Sequence, residues 1–485
     1  MIALSAGSLV YEVRRMREFR KKHVAKTAEI IRRRVGNWYK ADSGGAAVPE
    51  NYIHSYHSNA LPNLALTNPS VRITALDEIA DGQVAKWVMS AMKDWIREGH
   101  LLRQVQLAIS DALDAFGVLV VGTGVTDTNP EGLLSVQVAR VSPSRFLVDT
   151  DCQTVDTAKI LGHEYYRDPE QIMRNERFMA DPEAVQKAIS GSEEDRNDER
   201  PFGERRSEER KVCRLVDLYL RDSRMICTLV GTSDGAEPVF IRKPEPYVGP
   251  DLGPYEMFGF FDVPDDPYPL SPIQAVMEEI EEVQAQMSAA ANEAATAKTF
   301  YLVEAASQDI RKAIADGVNG GVYSVKGLGG NFQKVELGAM SGNRMEYMLA
   351  RKQSLDEVLA FGQSQRGRMS GGTATGDKIV QDYLDARMQW MRSRVNTAMV
   401  NVLRRVGWYL YNEESYVRDL TMIDDQGQMQ GGTYMGGQEP GQPDWTDFHL
   451  EIDVESMGLN DDLASQQRWL QIINLAPVVM QQMAM

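Results

Sequence analysis

RMEYMLARKQSLDEVLAFGQSQRGRMSGGTATGDKIVQDYLDARMQWMRSRVNTAMVNVLRRVGWYL, residues 344–410, reads as two helical patterns separated by a stretch with no core-forming residues of its own. Over 343–361, Met345, Met348, Leu349, Leu355, Val358 and Leu359 fall at helical spacing, predicting an amphipathic helix. Residues 363–377, QSQRGRMSGGTATGD, hold four glycines and several small polar residues, and Arg366 and Arg368 are the only charges before Asp377. That composition predicts a pliant loop. From 378 to 412 the helical period resumes and is the longest in the chain, through Val380, Tyr383, Leu384, Met388, Met391, Val395, Met399, Val402, Leu403 and Val406. Its Met-rich face reads as core, because Met adapts to irregular gaps.

Upstream, SPIQAVMEEIEEVQAQMSAAANEA opens a helix predicted over 271–298. Ser271 caps it, Pro272 fits the first turn and Gln274 completes a capping box. Ile273, Val276, Met277, Ile280, Val283 and Met287 mark one face, with Glu278, Glu279, Glu281 and Glu282 opposite. Its end is rich in Ala, which lets neighbouring helices approach closely. At 1.5 Å per residue this helix spans about 40 Å, and the one over 343–361 about 30 Å. Between them, 299–342 predicts a small α+β unit: a strand at TFYLV, a short helix at SQDIRKAIAD, and strands at GVYSVKG and FQKVELG.

Residues 1–270 are mixed. A basic helix is predicted over 8–35, ending near Gly36, followed by loop over 40–70 and helices over 77–97 and 101–116. GVLVVGTGV (117–125) and LLSVQVARV predict two strands joined by a turn at Asp127, Asn129, Pro130 and Gly132, with further strands at SPSRFLVD and AKILGHEYY. Residues 169–190 return to a helical pattern. The charged stretch 191–211 is expected to be exposed loop. Short strands follow near 212–220, 224–231 and 237–242, then Pro- and Gly-rich sequence to Pro269. After the long helix come a Gly/Gln-rich loop over 426–443, a strand at WTDFHLEIDVES and a terminal helix over 460–485. The fold class expected is therefore α+β, mainly helical, with long helices and small antiparallel sheets.

Charge and cysteine narrow the function classes. The net charge is −17, yet residues 1–40 carry +8, so the remainder carries −25. An acidic body repels phosphate and is a poor static DNA-binding surface, although it suits one past which DNA slides. Cys152, Cys213 and Cys227 show no CxxC spacing and His is scarce, so no zinc site is expected. No apolar run is long enough to span a bilayer, and the first residues reverse the order of a secretory signal; an intracellular protein is expected.

Enzyme signatures fail one by one. GTG within Gly117–Gly124 lacks the third glycine and following helix of a dinucleotide fingerprint. No GxxxxGK[ST] and no HExxH occur. His54 and His57 sit in the predicted loop without carboxylates at metal-ligand spacing, and Asp149, Asp151 and Asp156 lack an EF-hand's Gly and Glu. No catalytic residue, metal or cofactor is expected.

The order helix, small α+β unit, helix, Gly-rich loop, long helix resembles the core of tailed-bacteriophage portal proteins, the head-to-tail connectors of the capsid vertex. SPSRFLVD followed by GHEYYRD resembles the wing region of that family, and the likeness in motif order covers most of the chain. The resemblance implies a homo-oligomeric ring, usually of twelve subunits, around a DNA channel. It assigns 1–270 to the wing, 271–298 and 343–361 to paired stem helices, and 299–342 to the clip. It assigns 362–377 to the tunnel loop, 378–412 to a helix from channel to wing, 413–458 to the wing's return and 459–485 to a short crown. Gln365, Arg366, Gly367, Arg368, Met369, Ser370, Gly371 and Gly372 would then face DNA, the arginines touching phosphates without reading sequence. Glu278, Glu279, Glu281 and Glu282 would line the channel, or else form a solvated face or inter-subunit salt bridges.

The implied partners are other copies of the chain, double-stranded DNA, a terminase motor, a head–tail adaptor and the major capsid or scaffold protein, with no membrane. The implied location is the virion's portal vertex, after assembly in the host cytoplasm. Two other readings stay open: a nucleic-acid-acting enzyme, which needs clustered metal ligands or a phosphate loop, and a phage head or baseplate protein without a channel.

Overall fold

In the computed structural model the described residues are 5–36, 51–64, 69–98, 101–124, 135–174, 178, 182–183, 213–231, 238–296, 298–304, 322–325, 332–337, 342–359, 374–413, 416–423, 429–437 and 443–453. In chain order the helices are α1 (Ala6–Val24), α2 (Thr27–Arg34), α3 (Tyr52–Leu64), α4 (Glu78–Glu98), α5 (Leu101–Asp114), α6 (Met277–Thr296), α7 (Gly342–Val358) and α8 (Ala374–Asn412). Single helical turns stand at Pro169–Arg174 and Pro272–Ala275. The mixture of helices with small, mostly antiparallel sheets makes the chain α+β.

The chain forms two compact units. The first comprises Met1–Ile31, His57–Gln274 and Asp385–Met485; the second comprises Arg32–Tyr56 and Ala275–Leu384. The division falls inside α2, α3, the helical turn Pro272–Ala275 and α8.

The first unit is built on a five-stranded antiparallel sheet in which neighbours along the chain are neighbours in space: Phe146–Val148, Ile160–Arg167, Cys213–Leu220, Met225–Val230 and Val239–Pro246. Side chains alternate across a strand, and both faces here are apolar. Leu147, Ile160, Leu218 and Leu220 pack under Leu9, Val10, Val13 and Met16 of α1. Phe146, Val148, Leu161 and Tyr219 pack on the other side with Phe116, Val118, Tyr255 and Tyr268. A second sheet places Gly117–Gly124 between Ser135–Arg140 and Tyr255–Phe258. Ser70–Ala75 pairs with Phe448–Asp453, antiparallel in full register, and Val417–Ile423 pairs with Met429–Met435.

In the second unit α6 and α7 pack together. Lys298–Glu304 is the middle strand of a three-stranded sheet, parallel to Val322–Val325 and antiparallel to Phe332–Leu337.

Several expectations are corrected. Residues 40–70 are not all loop, for Tyr52–Leu64 is helical with Pro62 inside it. The basic helix is broken at Ala25 and Lys26, so α1 and α2 are separate. The helix expected over 271–298 has a break at Val276. The Pro- and Gly-rich stretch before Ser271 contains strands Tyr255–Phe258, Phe261–Val263 and Asp266–Leu270. Met429–Met435 is a strand despite two glycines. The short helix at SQDIRKAIAD, the loop 191–211 and the terminal helix over 460–485 lie outside the described residues.

Candidate functional site

The predicted channel residues belong to the second unit. Gln365, Arg366, Gly367, Arg368, Met369, Ser370, Gly371 and Gly372 lie outside the described residues. The four glutamates of α6 are described, and they divide into two kinds. Glu281 accepts a salt bridge from Arg33 at 2.8 Å, and Glu282 one from Arg351 of α7 at 2.9 Å. The Tyr347 hydroxyl also donates to Glu282 at 2.5 Å and itself accepts from the Arg351 Nε at 3.1 Å. Glu278 and Glu279, one turn earlier, are exposed. Two of the four carboxylates are thus engaged in tying helices together within one chain.

The start of this helical stretch follows from sequence: the Ser271 hydroxyl accepts the Gln274 N–H at 2.9 Å, the cap its spacing predicted. Along α6, Met277, Ile280, Val283 and Ala290 are buried. Its partner α7 behaves differently. Leu355 is 1% exposed, but Met345, Leu349 and Val358, all on the apolar stripe read from sequence, are 39%, 51% and 43% exposed, and Tyr347 is exposed beside them. Arg351 and Lys352 flank the stripe, Lys352 above the Tyr52 ring at 5.3 Å. The second unit therefore holds a helix pair joined by ions and a few apolar contacts, with Met345, Leu349 and Val358 of one apolar stripe exposed, Met348 half-buried, and Leu355 and Leu359 buried.

Sequence reasoning missed a buried carboxylate held by three arginines in the first unit. Glu164, on the middle of strand Ile160–Arg167, is fully buried and receives Arg17 at 2.5 Å, Arg20 at 3.0 Å and Arg214 at 2.7 Å. Burial alone would raise its carboxyl; the three guanidiniums outweigh that and hold it at about 2. Arg20 continues the buried stripe Leu9, Val13, Met16 of α1, so an arginine at an apolar position was the available signal. The basic helix thus spends part of its charge inside the protein. Arg15 pairs with Glu12 and Asp151.

The other sequence candidates resolve into structure. A Cβ on Gly117 would meet the Phe258 ring at 2.5 Å and the Ala108 carbonyl at 2.6 Å, so this glycine serves close packing. His54 and His57 sit on α3, and the His57 Nε2 is 3.1 Å from the Ser110 hydroxyl. Asp149 accepts the backbone N–H groups of Asp151 and Lys159 and shapes a turn. Cys152, Cys213 and Cys227 are buried thiols, and burial pushes Cys152 up to about 11 and Cys227 up to about 12. Among the described residues no group of His, Cys, Asp and Glu could hold a metal ion, and no helix is long and apolar enough to cross a membrane. No protein-family model and no curated protein matches the chain.

Proposed function

We propose that this chain is a portal-type ring subunit: a non-enzymatic conduit through which double-stranded DNA enters a phage capsid and later leaves it. The observation that carries the reading is the unequal burial of the helix pair α6 and α7. An amphipathic helix gains stability by covering its apolar stripe, and α7 leaves Met345, Leu349 and Val358 open to water. Further copies of the same chain would cover them, and a ring needs such repeated heterologous contacts to close. The compact sheet Lys298–Glu304, Val322–Val325 and Phe332–Leu337 lies between α6 and α7 in sequence, the order expected of a stem–clip–stem hairpin. The 39-residue α8 follows.

In this reading the glutamates have divided work. Glu281 and Glu282 brace the helices, while Glu278 and Glu279 are available to repel phosphate at short range. Work on the DNA would come from a terminase motor docked on 299–342, with adaptors succeeding it there. Binding to DNA would be non-specific, weak and salt-sensitive, and the chain would reside in the virion.

Negative-stain microscopy and native mass measurement of the purified chain test this. Rings with a central hole and a mass near twelve times 54.3 kDa are expected. A monomer that cleaves DNA with divalent metal, or closed particles without a hole, would overturn it.

A further inference from the structure

Helix α8 carries a polar seam beside its buried apolar face of Met388, Met391, Val395, Met399, Val402 and Val406. The Arg387 guanidinium lies 5.5 Å from the centre of the Phe261 ring. Arg394 donates to the Gly259 carbonyl at 3.2 Å and to Asp262 at 2.5 Å. The Asn401 amide donates to Glu256 Oε1 at 2.9 Å. Arg405 donates to the carbonyls of Gly253 and Tyr255, both at 2.8 Å, and to Glu256 Oε2 at 2.7 Å. Helix positions rise as their partners' numbers fall, so 253–262 runs antiparallel to the helix, tied down at four places on one face.

Glu256 is the centre of this arrangement. Each of its carboxylate oxygens accepts a hydrogen bond from α8, and its side chain is 12% exposed. Arg405 is 3% exposed. A groove of about 830 Å³ runs alongside, bordered by Asp156, Arg221, Thr397 and Asn401, so water reaches the edge of the pair. Burial raises the Glu256 carboxyl; Arg405 and Asn401 oppose the rise and Asp156 adds to it. The remaining charges round the groove are answered elsewhere: Asp262 by Arg394, Asp251 by Arg224 at 2.5 Å, Asp266 by His23 at 3.5 Å, and Arg221 by the carbonyls of Val155 and Asp156. Asp265 is exposed at the rim.

We propose that Glu256 and Arg405 form a proton-operated latch between α8 and the segment 253–262. With Glu256 charged, the fork of Arg405 is neutralised and the segment is clamped. When Glu256 takes a proton from the groove, Arg405 becomes a buried cation held by carbonyls alone, an arrangement that burial disfavours strongly. The guanidinium then turns towards the groove and the segment loosens. Nothing in this device requires a ring, so it stands or falls separately from the conduit reading.

Hydrogen exchange of the full chain, read on peptides covering 252–262 and corrected for intrinsic rates, tests the latch. Exchange there should rise several-fold as pH falls from about 7.5 to about 4, while the strands Ile160–Arg167 and Cys213–Leu220 hold their protection. Glu256→Gln should exchange fast at both pH values and lose the response. Asn401→Ala, which removes one donor and keeps the ion pair, should move the midpoint to higher pH; Asp262→Asn should leave it in place. Flat exchange in the wild-type chain, or a Glu256→Gln protein with the wild-type pH response, overturns the proposal.

Discussion

Helices α1 and α7 carry similar raw material and end in opposite circumstances. Both mix apolar residues at helical spacing with arginines and lysines. On α1 the stripe Leu9, Val13, Met16 and Arg20 is sealed, and even its arginine is matched by Glu164. On α7 half of the corresponding stripe, Met345, Leu349 and Val358, stays exposed. The five-stranded sheet supplies α1 with a floor from its own chain, whereas α7 packs on α6, pairs Arg351 with Glu282 and sets Lys352 over the Tyr52 ring. The contrast separates an element whose apolar stripe is sealed within one chain from one whose stripe is left half open.

The comparison breaks most visibly at Glu164. Replacing it by Gln leaves three buried guanidiniums without their counter-charge and should lower stability by about 3–5 kcal/mol, read as a shift in urea midpoint. The pH dependence has a definite sign. A carboxyl held below its ordinary value stabilises the fold above that ordinary value, about pH 4.5, and the contribution fades as pH falls towards about 2. The gap between wild type and Glu164→Gln should therefore be constant above about pH 5 and shrink below it. A constant gap down to about pH 3 would remove Glu164 from the account of α1.

A smaller effect is expected at the start of the same helix. The Ser5 hydroxyl accepts the Ser8 N–H at 3.2 Å, and Ser5→Ala should cost about 1 kcal/mol in thermal or urea unfolding. On α7 the largest apolar exposure gives the smallest stability change. Leu349→Ser should alter the single chain's stability by no more than about 0.5 kcal/mol, yet sharply reduce the yield of rings in sedimentation. An equal loss of stability and assembly would mean that the stripe is already covered within one chain.

Much of the fold was legible because it depends on local period. The helices over 77–97, 101–116, 343–361 and 378–412, and the strands of the five-stranded sheet, follow from spacing that one face of an element must keep. Tyr52–Leu64 was hidden by Pro62 and by the polar residues around it. Strands Tyr255–Phe258 and Met429–Met435 were hidden by prolines and glycines that usually mark turns, and their ladders come from partners more than a hundred residues away or across a hairpin. For the site, the acidic face of α6 was readable, but the division between bracing and exposed glutamates was not, since Arg33 belongs to a segment far upstream. Glu164 gave no warning in EYYR; its guanidinium partners lie 147, 144 and 50 residues distant.

The pairing of Ser70–Ala75 with Phe448–Asp453 has a consequence for synthesis. The first of these strands emerges from the ribosome while its mate is still untranslated, and at 5–20 residues per second the wait is about 20–75 seconds. During that interval the peptide groups that will form this ladder can bond only to water or to some other strand. The order of events on the ribosome is thereby fixed: the second unit is complete before the first can close, and any truncation ahead of residue 448 leaves that edge open for good.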